Sequence, residues 1–295
     1  MDFLLQLLVN GLVIGSVYAL AALGFVLIYK ASRVLNFAHG DFLALGTFVA
    51  FALATSLRLP VIPSIILTLV CFFVLGLVVE RVVLRPLIGK EVIAVIMVSV
   101  GLSSVIKGIM YLVWGPGYFL FPEFLPDVPI IIGDVYLSPM HLLGLAISAA
   151  LLGLFSLFFK RSTLGVAMRA VADDQQAALS LGVSVRKIFA VSWGIALVSA
   201  VAAGVVVGSI TSLSTEGLSA IGILVFPAVI VGGLDSVPGA VVGGLLIGVL
   251  ENLTAGFIDP LLGVSLRSVV PFIVLVLILM MKPYGLFGTV EIERV

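Results

Sequence analysis

Few side chains in this sequence are equipped for chemistry, and their spacing excludes most of it. The two histidines, His39 and His141, lie far apart, and the one cysteine, Cys71, sits in an apolar run. A zinc site needs three or four His, Cys or acidic ligands together, and a disulfide needs a second cysteine. No metal is therefore expected. The patterns HExxH, GxSxG and GxxxxGK[ST] do not occur, which removes the signatures of zinc proteases, serine hydrolases and phosphate loops. No apolar run contains an acidic pair, so an intramembrane enzyme and an ion-coupled carrier both lack their usual groups. No catalytic residue and no cofactor is expected.

What remains is a handful of polar residues in or beside apolar runs, and each is a functional candidate because a buried ionisable group in lipid is costly. Asn36 and His39 are three apart, with Phe37 between them and Asp41 just behind. They share a face if a helix begins by residue 34. One reading is an inner gate, or a link between a pathway and the cytoplasm; the other is a polar helix start that satisfies backbone donors at the interface. Glu251, beside Asn252, either faces a pathway or pairs with Arg267. Lys107 is expected to snorkel outward. Gly232 and Gly233 break an apolar run, and Asp235, Ser236 and Pro238 then read as a cap with proline in the first turn of the next helix, followed by Gly239. That turn either simply starts a helix or aims a helix N-terminus at a carboxylate.

The elements that position these residues follow from composition. Of 295 residues, 62% are hydrophobic and 10% charged, with formal net charge zero; an ordinary soluble domain carries roughly 25% charged residues. So few charges cannot cover a water-soluble surface, and no basic field is present to hold nucleic acid. Lipid must be the solvent for most of the chain. A crossing helix needs roughly 20 mostly apolar residues. Apolar runs fall at 3–29, 42–57, 60–79, 92–114, 142–159, 188–213, 217–234, 238–250 (extendable to 257) and 268–281. The expected fold is an all-α polytopic bundle, a single membrane domain over 1–295, with about nine spans in a range of eight to ten. Run 217–234 is short, opens with polar residues and is glycine-ended; it is the weakest of the spans and has a re-entrant segment as its alternative.

Lys and Arg in short loops stay in the cytoplasm. With the N-terminus outside and the C-terminus inside, nine spans place twelve of the 15 basic residues inside, leaving Arg58, Lys107 and Arg267 elsewhere. The loop 115–139 then lies outside, carrying Glu123, Asp127 and Asp134 with no basic residue. The first run lacks a basic start and is too long for a signal core, so it reads as a retained span. Glycine pairs four apart, at 11 and 15, 204 and 208, 239 and 243, and 244 and 248, allow close helix packing.

The longest inner loop, 161–187, reads as built structure. Asp173 or Asp174 can cap a helix, residues 175–181 are mostly helix formers, and Gly182 suits the left-handed residue that ends one. Ala177, Ala178 and Leu181 then form a small apolar face that a partner's groove can accept.

This segment resembles the EAA-type coupling loop of ABC importer permeases, in the form found in the branched-chain amino acid (LivH-type) family. Asp174 or Gln175 stands at the usual acidic position, so the match rests on Ala177, Ala178 and Gly182. Three more stretches resemble that family in the same order: NFAHGD at 36–41, GGLDSVPGA at 232–240 and PYGLFG at 283–288. The resemblance implies a permease in the cytoplasmic (inner) membrane of a prokaryote. Its implied partners are a second related permease or a second copy of itself, two cytoplasmic ATPases and a periplasmic binding protein. It implies branched-chain or other hydrophobic amino acids as substrate, with urea or short amides as the alternative. A self-contained carrier or channel is the reading from another class.

Overall fold

The computed structural model describes residues 2–87, 90–122, 128, 130–132 and 135–288. The acidic loop residues Glu123, Asp127 and Asp134 and the basic Arg294 lie outside them. Every apolar run lies on a helix. These are α1 (Asp2–Ser32), α2 (His39–Thr55), α3 (Val61–Val79), α4 (Val92–Trp114), α5 (Pro139–Arg161), α8 (Val185–Ile210), α9 (Thr215–Gly232), α10 (Val237–Leu253) and α12 (Val270–Met281). Two short helices, α6 (Thr163–Asp173) and α7 (Gln175–Ser180), fill the segment between α5 and α8, and α11 (Asp259–Leu262) follows a π turn at the end of α10. Seven of the helices are long and apolar enough to cross a membrane, whereas α2 and α12 are shorter. A three-residue hairpin, β1 (Ile130–Ile132) with β2 (Val135–Leu137), departs from the all-α expectation. Such a small ribbon within a loop does not alter the helical architecture.

Burial separates the bundle into a centre and a rim. In α1 and α8, 89% and 78% of the most apolar stretch is buried, against 11% in α4 and 17% in α5. The outer helices therefore present their apolar faces to lipid or to another chain. Segment 215–232, which also read as re-entrant, is one continuous helix, α9, despite Pro227 within it.

Small residues set the crossings in the centre, as the glycine pairs suggested. A Cβ at Gly11 or Gly15 of α1 would stand 2.8 Å from the Cα of Val249 or Leu245 on α10. Side chains there would force the two backbones apart. The start of α2 lies equally close to α9, with Gly40 against Gly222.

One depth differs from expectation. Segment 33–38 does not mark an interface crossing; it dips back along α1, and His39 reaches the carbonyl of Ala21, about 17 Å from Ser32 at ~1.5 Å per residue. Helix α2 thus starts about half-way along α1. That is why it is only 17 residues long.

Candidate translocation and coupling sites

The start of α2 is held from three sides. Asn36 Oδ1 accepts from the Ala38 amide at 3.1 Å, closing a local turn onto the helix. The Phe37 amide donates to Ser99 Oγ on α4 at 3.3 Å. His39 is fully buried. Its Nε2 lies 3.1 Å from Ala21 O, so the ring donates there as the Nε2–H tautomer, and the Phe25 ring packs against it, tilted by 51°, with centroids 4.3 Å apart. Gly24 makes the room: a Cβ there would come within 2.6 Å of Ser199 Oγ. His39 is thereby an anchor between α1 and α2 with no exposed surface, which disfavours its reading as a gate. Among the described residues no group of three potential metal ligands occurs. Phe37, by contrast, is 41% exposed and lies against Phe226 of α9 at 5.2 Å.

Asp41 is the second polar feature. Its side chain is buried, and Lys107 Nζ of α4 lies 3.8 Å from its Oδ1. Lys107 therefore turns toward Asp41 and does not snorkel outward as expected. In the membrane a carboxylate within ion-pair distance competes with snorkelling to the interface. One helical turn further along α4, Tyr111 donates to Glu216 of α9 at 2.6 Å.

Glu251 is buried between α10 and α1, and Tyr18 donates to its Oε2 at 2.8 Å. Arg267 is close enough to influence it electrostatically, but Tyr18 is the hydrogen-bond partner, and sequence spacing gave no hint of it. Burial at this tight crossing makes Glu251 an interhelical anchor.

The glycine turn and the C-terminal ending prove to be neighbours. Gly233 takes φ +111°, a conformation costly for other residues. Ser236 Oγ accepts from the Gly239 amide at 3.1 Å, and Pro238 occupies the first turn of α10. The amides of Leu286 and Phe287 donate to the carbonyls of Val231 and Gly232 at 2.8 and 3.0 Å, so the 283–288 segment caps α9. On the same side, Asp173, Arg169, Lys30, Asp235, Pro238 and Phe287 line one cavity of about 520 Å³.

Segment 161–187 is built as its capping pattern suggests. Asp174 Oδ1 accepts from the amides of Gln176 and Ala177 at 2.8 and 2.9 Å, and Gly182 takes φ +82°. The apolar face is different. Ala178 is 2% exposed and packs into the chain's own core, while Leu181 is 82% exposed. Six residues give too little helix for sequence to decide which side faces home. Gln175 Nε2 reaches the carbonyl of Ala31 at 3.4 Å, joining α7 to the C-terminal end of α1.

Residues 7–279 match the model of the branched-chain amino acid transport system permease component. The chain belongs to this family. It is similar to the high-affinity branched-chain amino acid transport permease BraD of Pseudomonas aeruginosa, at 32% identity over 99% of this chain and 98% of that protein. LivH of Escherichia coli K12 is 28% identical over 99% and 98% of the two chains. A probable LivH of Methanocaldococcus jannaschii is 27% identical over 96% and 92%. The PsaBC structure from Streptococcus pneumoniae, in complex with Fab, matches with a TM-score of 0.53 at 14% identity, covering 97% of this chain and 94% of that one; this likeness bears on the fold alone. The permease is a multi-pass membrane transport subunit, not an enzyme. As one component of a transport system, it works with other subunits.

Proposed function

We propose that this permease is the transmembrane subunit of an ABC importer for branched-chain or other hydrophobic amino acids in a prokaryotic cytoplasmic membrane. It pairs with a second related permease or another copy of itself, docks two cytoplasmic ATPases, and receives substrate from a periplasmic binding protein. About nine passes, with the N-terminus outside and the C-terminus inside, put α6 and α7 in the cytoplasm with Lys30, Lys160 and Arg169. The docking surface is α7 and its ends: Asp173, Asp174, Ala177, Leu181 and Gly182, with Ala178 holding it to the bundle. Substrate passes along the face carrying Phe37 and Asp41, while Asn36 and His39 hold that helix start in place. The turn at Gly232, Gly233, Pro238 and Gly239 sits beside the coupling segment and carries its movement to α9 and α10.

The observation that carries this reading is the capped α7 with Leu181 turned outward, in a chain whose relatives are transport permeases over their whole length. Tagged permease co-expressed with candidate ATPases tests it. Co-purification, with ATP hydrolysis stimulated by a leucine-loaded binding protein, is expected. Stimulation only by a urea-loaded or amide-loaded protein would transfer the role to the other substrate class.

A further inference from the structure

The Asp41–Lys107 pair is placed unlike a structural salt bridge. Asp41 is 3% exposed, and its Oδ1 has no hydrogen bond; Lys107, at 3.8 Å, is an ion pair beyond hydrogen-bond reach. The hydroxyls of Ser103 and Ser219 lie near enough to act on the same carboxylate, and buried Ser219 Oγ makes no hydrogen bond of good geometry. Lys107 stands seven residues, about 10 Å at ~1.5 Å per residue, before the Trp114 end of α4, within the apolar length of the helix. Yet its side chain is 36% exposed, on a helix only 11% buried over its apolar stretch. Charged groups at that depth face a bundle interior or a water-filled cavity, not lipid.

We propose that Asp41 and Lys107 form a recognition site for the zwitterionic head of an α-amino acid in transit. The ammonium group is held by Asp41 with Ser103 and Ser219, and the carboxylate by Lys107. The protein pair is pre-formed and loose, so a zwitterion replaces one long ion pair with two close ones as Lys107 changes rotamer. Neither charge is left unpaired in the empty or the loaded state. An amine without a carboxylate, or a carboxylate without an amine, leaves one protein charge unmatched in a low dielectric. Phe37, four residues before Asp41 and 41% exposed, lies 5.2 Å from Phe226 and supplies an apolar surface for the substrate's side chain. This assignment rests on the amino-acid importer reading and adds a second point of selection to it.

The test is uptake of labelled L-leucine by the full complex in proteoliposomes, comparing wild type with the double variant Asp41→Asn/Lys107→Met. Replacing a merely structural ion pair by neutral groups of similar size is often harmless. A double variant that still co-purifies with both ATPases is expected to lose at least tenfold in uptake, and uptake within twofold of wild type would overturn the proposal. A second measurement leaves the pair intact and holds if the double variant fails to assemble. Ser104 is exposed on α4, one turn before Lys107. In a Cys71→Ser background, Ser104→Cys is expected to react with a cationic thiosulfonate at least threefold more slowly when L-leucine is present. Equal concentrations of 3-methylbutylamine or 4-methylpentanoate are expected not to protect. No protection by leucine, or equal protection by the amine, would overturn the site. Absence of leucine uptake by the wild-type complex would instead count against the importer reading itself.

Discussion

His39, Tyr18 and Glu251 show how polar residues inside this bundle hold helices together: His39 Nε2 bonds Ala21 O and Tyr18 bonds Glu251 Oε2, while His39 Nδ1 and Glu251 Oε1 are buried without a hydrogen bond. His39→Ala removes a fully buried ring and strands the carbonyl of Ala21; the expected loss is about 2–4 kcal/mol, read as a lower melting temperature in detergent. His39→Gln retains a donor and is expected to recover part of it. Tyr18→Phe deprives buried Glu251 of its donor, at about 1–3 kcal/mol. The double variant Tyr18→Phe/Glu251→Leu is expected to restore the melting temperature and to leave uptake intact; lost uptake with stability restored would return Glu251 to the pathway. Sequence identified Asn36, His39, Asp41 and Glu251 as worth attention, because ionisable groups beside apolar runs are conspicuous. It did not separate anchors from pathway, since the partners lie 18 residues away for His39 and 233 for Glu251. The Asp41–Lys107 pairing was within reach as two intramembrane charges of opposite sign, but only adjacency of α2 and α4 makes it visible.

At the scale of elements, hydrophobic run length located every long helix, because lipid requires a backbone bonded within each segment. Depth was less legible. Nothing in residues 33–38 announces that α2 begins alongside Ala21, because that depth is set by the glycine contacts with α9. The capping of α7 was readable from Asp174 and Gly182, whereas its orientation depended on packing against α6 and α8. That orientation makes a prediction. Leu181→Glu places a charge on the outward face and is expected to abolish co-purification of the ATPases while the permease keeps its melting temperature. Ala178→Glu buries a charge in the permease's own core and is expected to lower that temperature. The reverse pattern would show the docking face to be the other side. At the α1–α10 crossing, Gly15→Val is expected to prevent recovery of folded permease, since its Cβ would already stand 2.8 Å from Leu245 Cα; monodisperse elution in size-exclusion chromatography checks it.

For the whole molecule, the energy for uphill transport must arrive from outside the chain. Sequence contains no phosphate loop, and the buried acids among the described residues are bound into separate local contacts with Tyr18, Arg85 and Lys107, an arrangement unlike a relay for coupling ions. An ion gradient delivers about 2.3 kcal/mol per elementary charge per 100 mV only to a protein that binds the ions. The rim helices, mostly uncovered in the single chain, fit a subunit that completes its pathway against another permease. The most direct measurement is accumulation of labelled leucine in proteoliposomes containing either this permease alone under imposed proton and sodium gradients, or the permease with its partner permease, both ATPases, a leucine-binding protein and ATP. Uphill uptake is predicted only in the complete, ATP-supplied system. Uphill uptake by the permease alone under either gradient would contradict the account and identify a self-contained carrier.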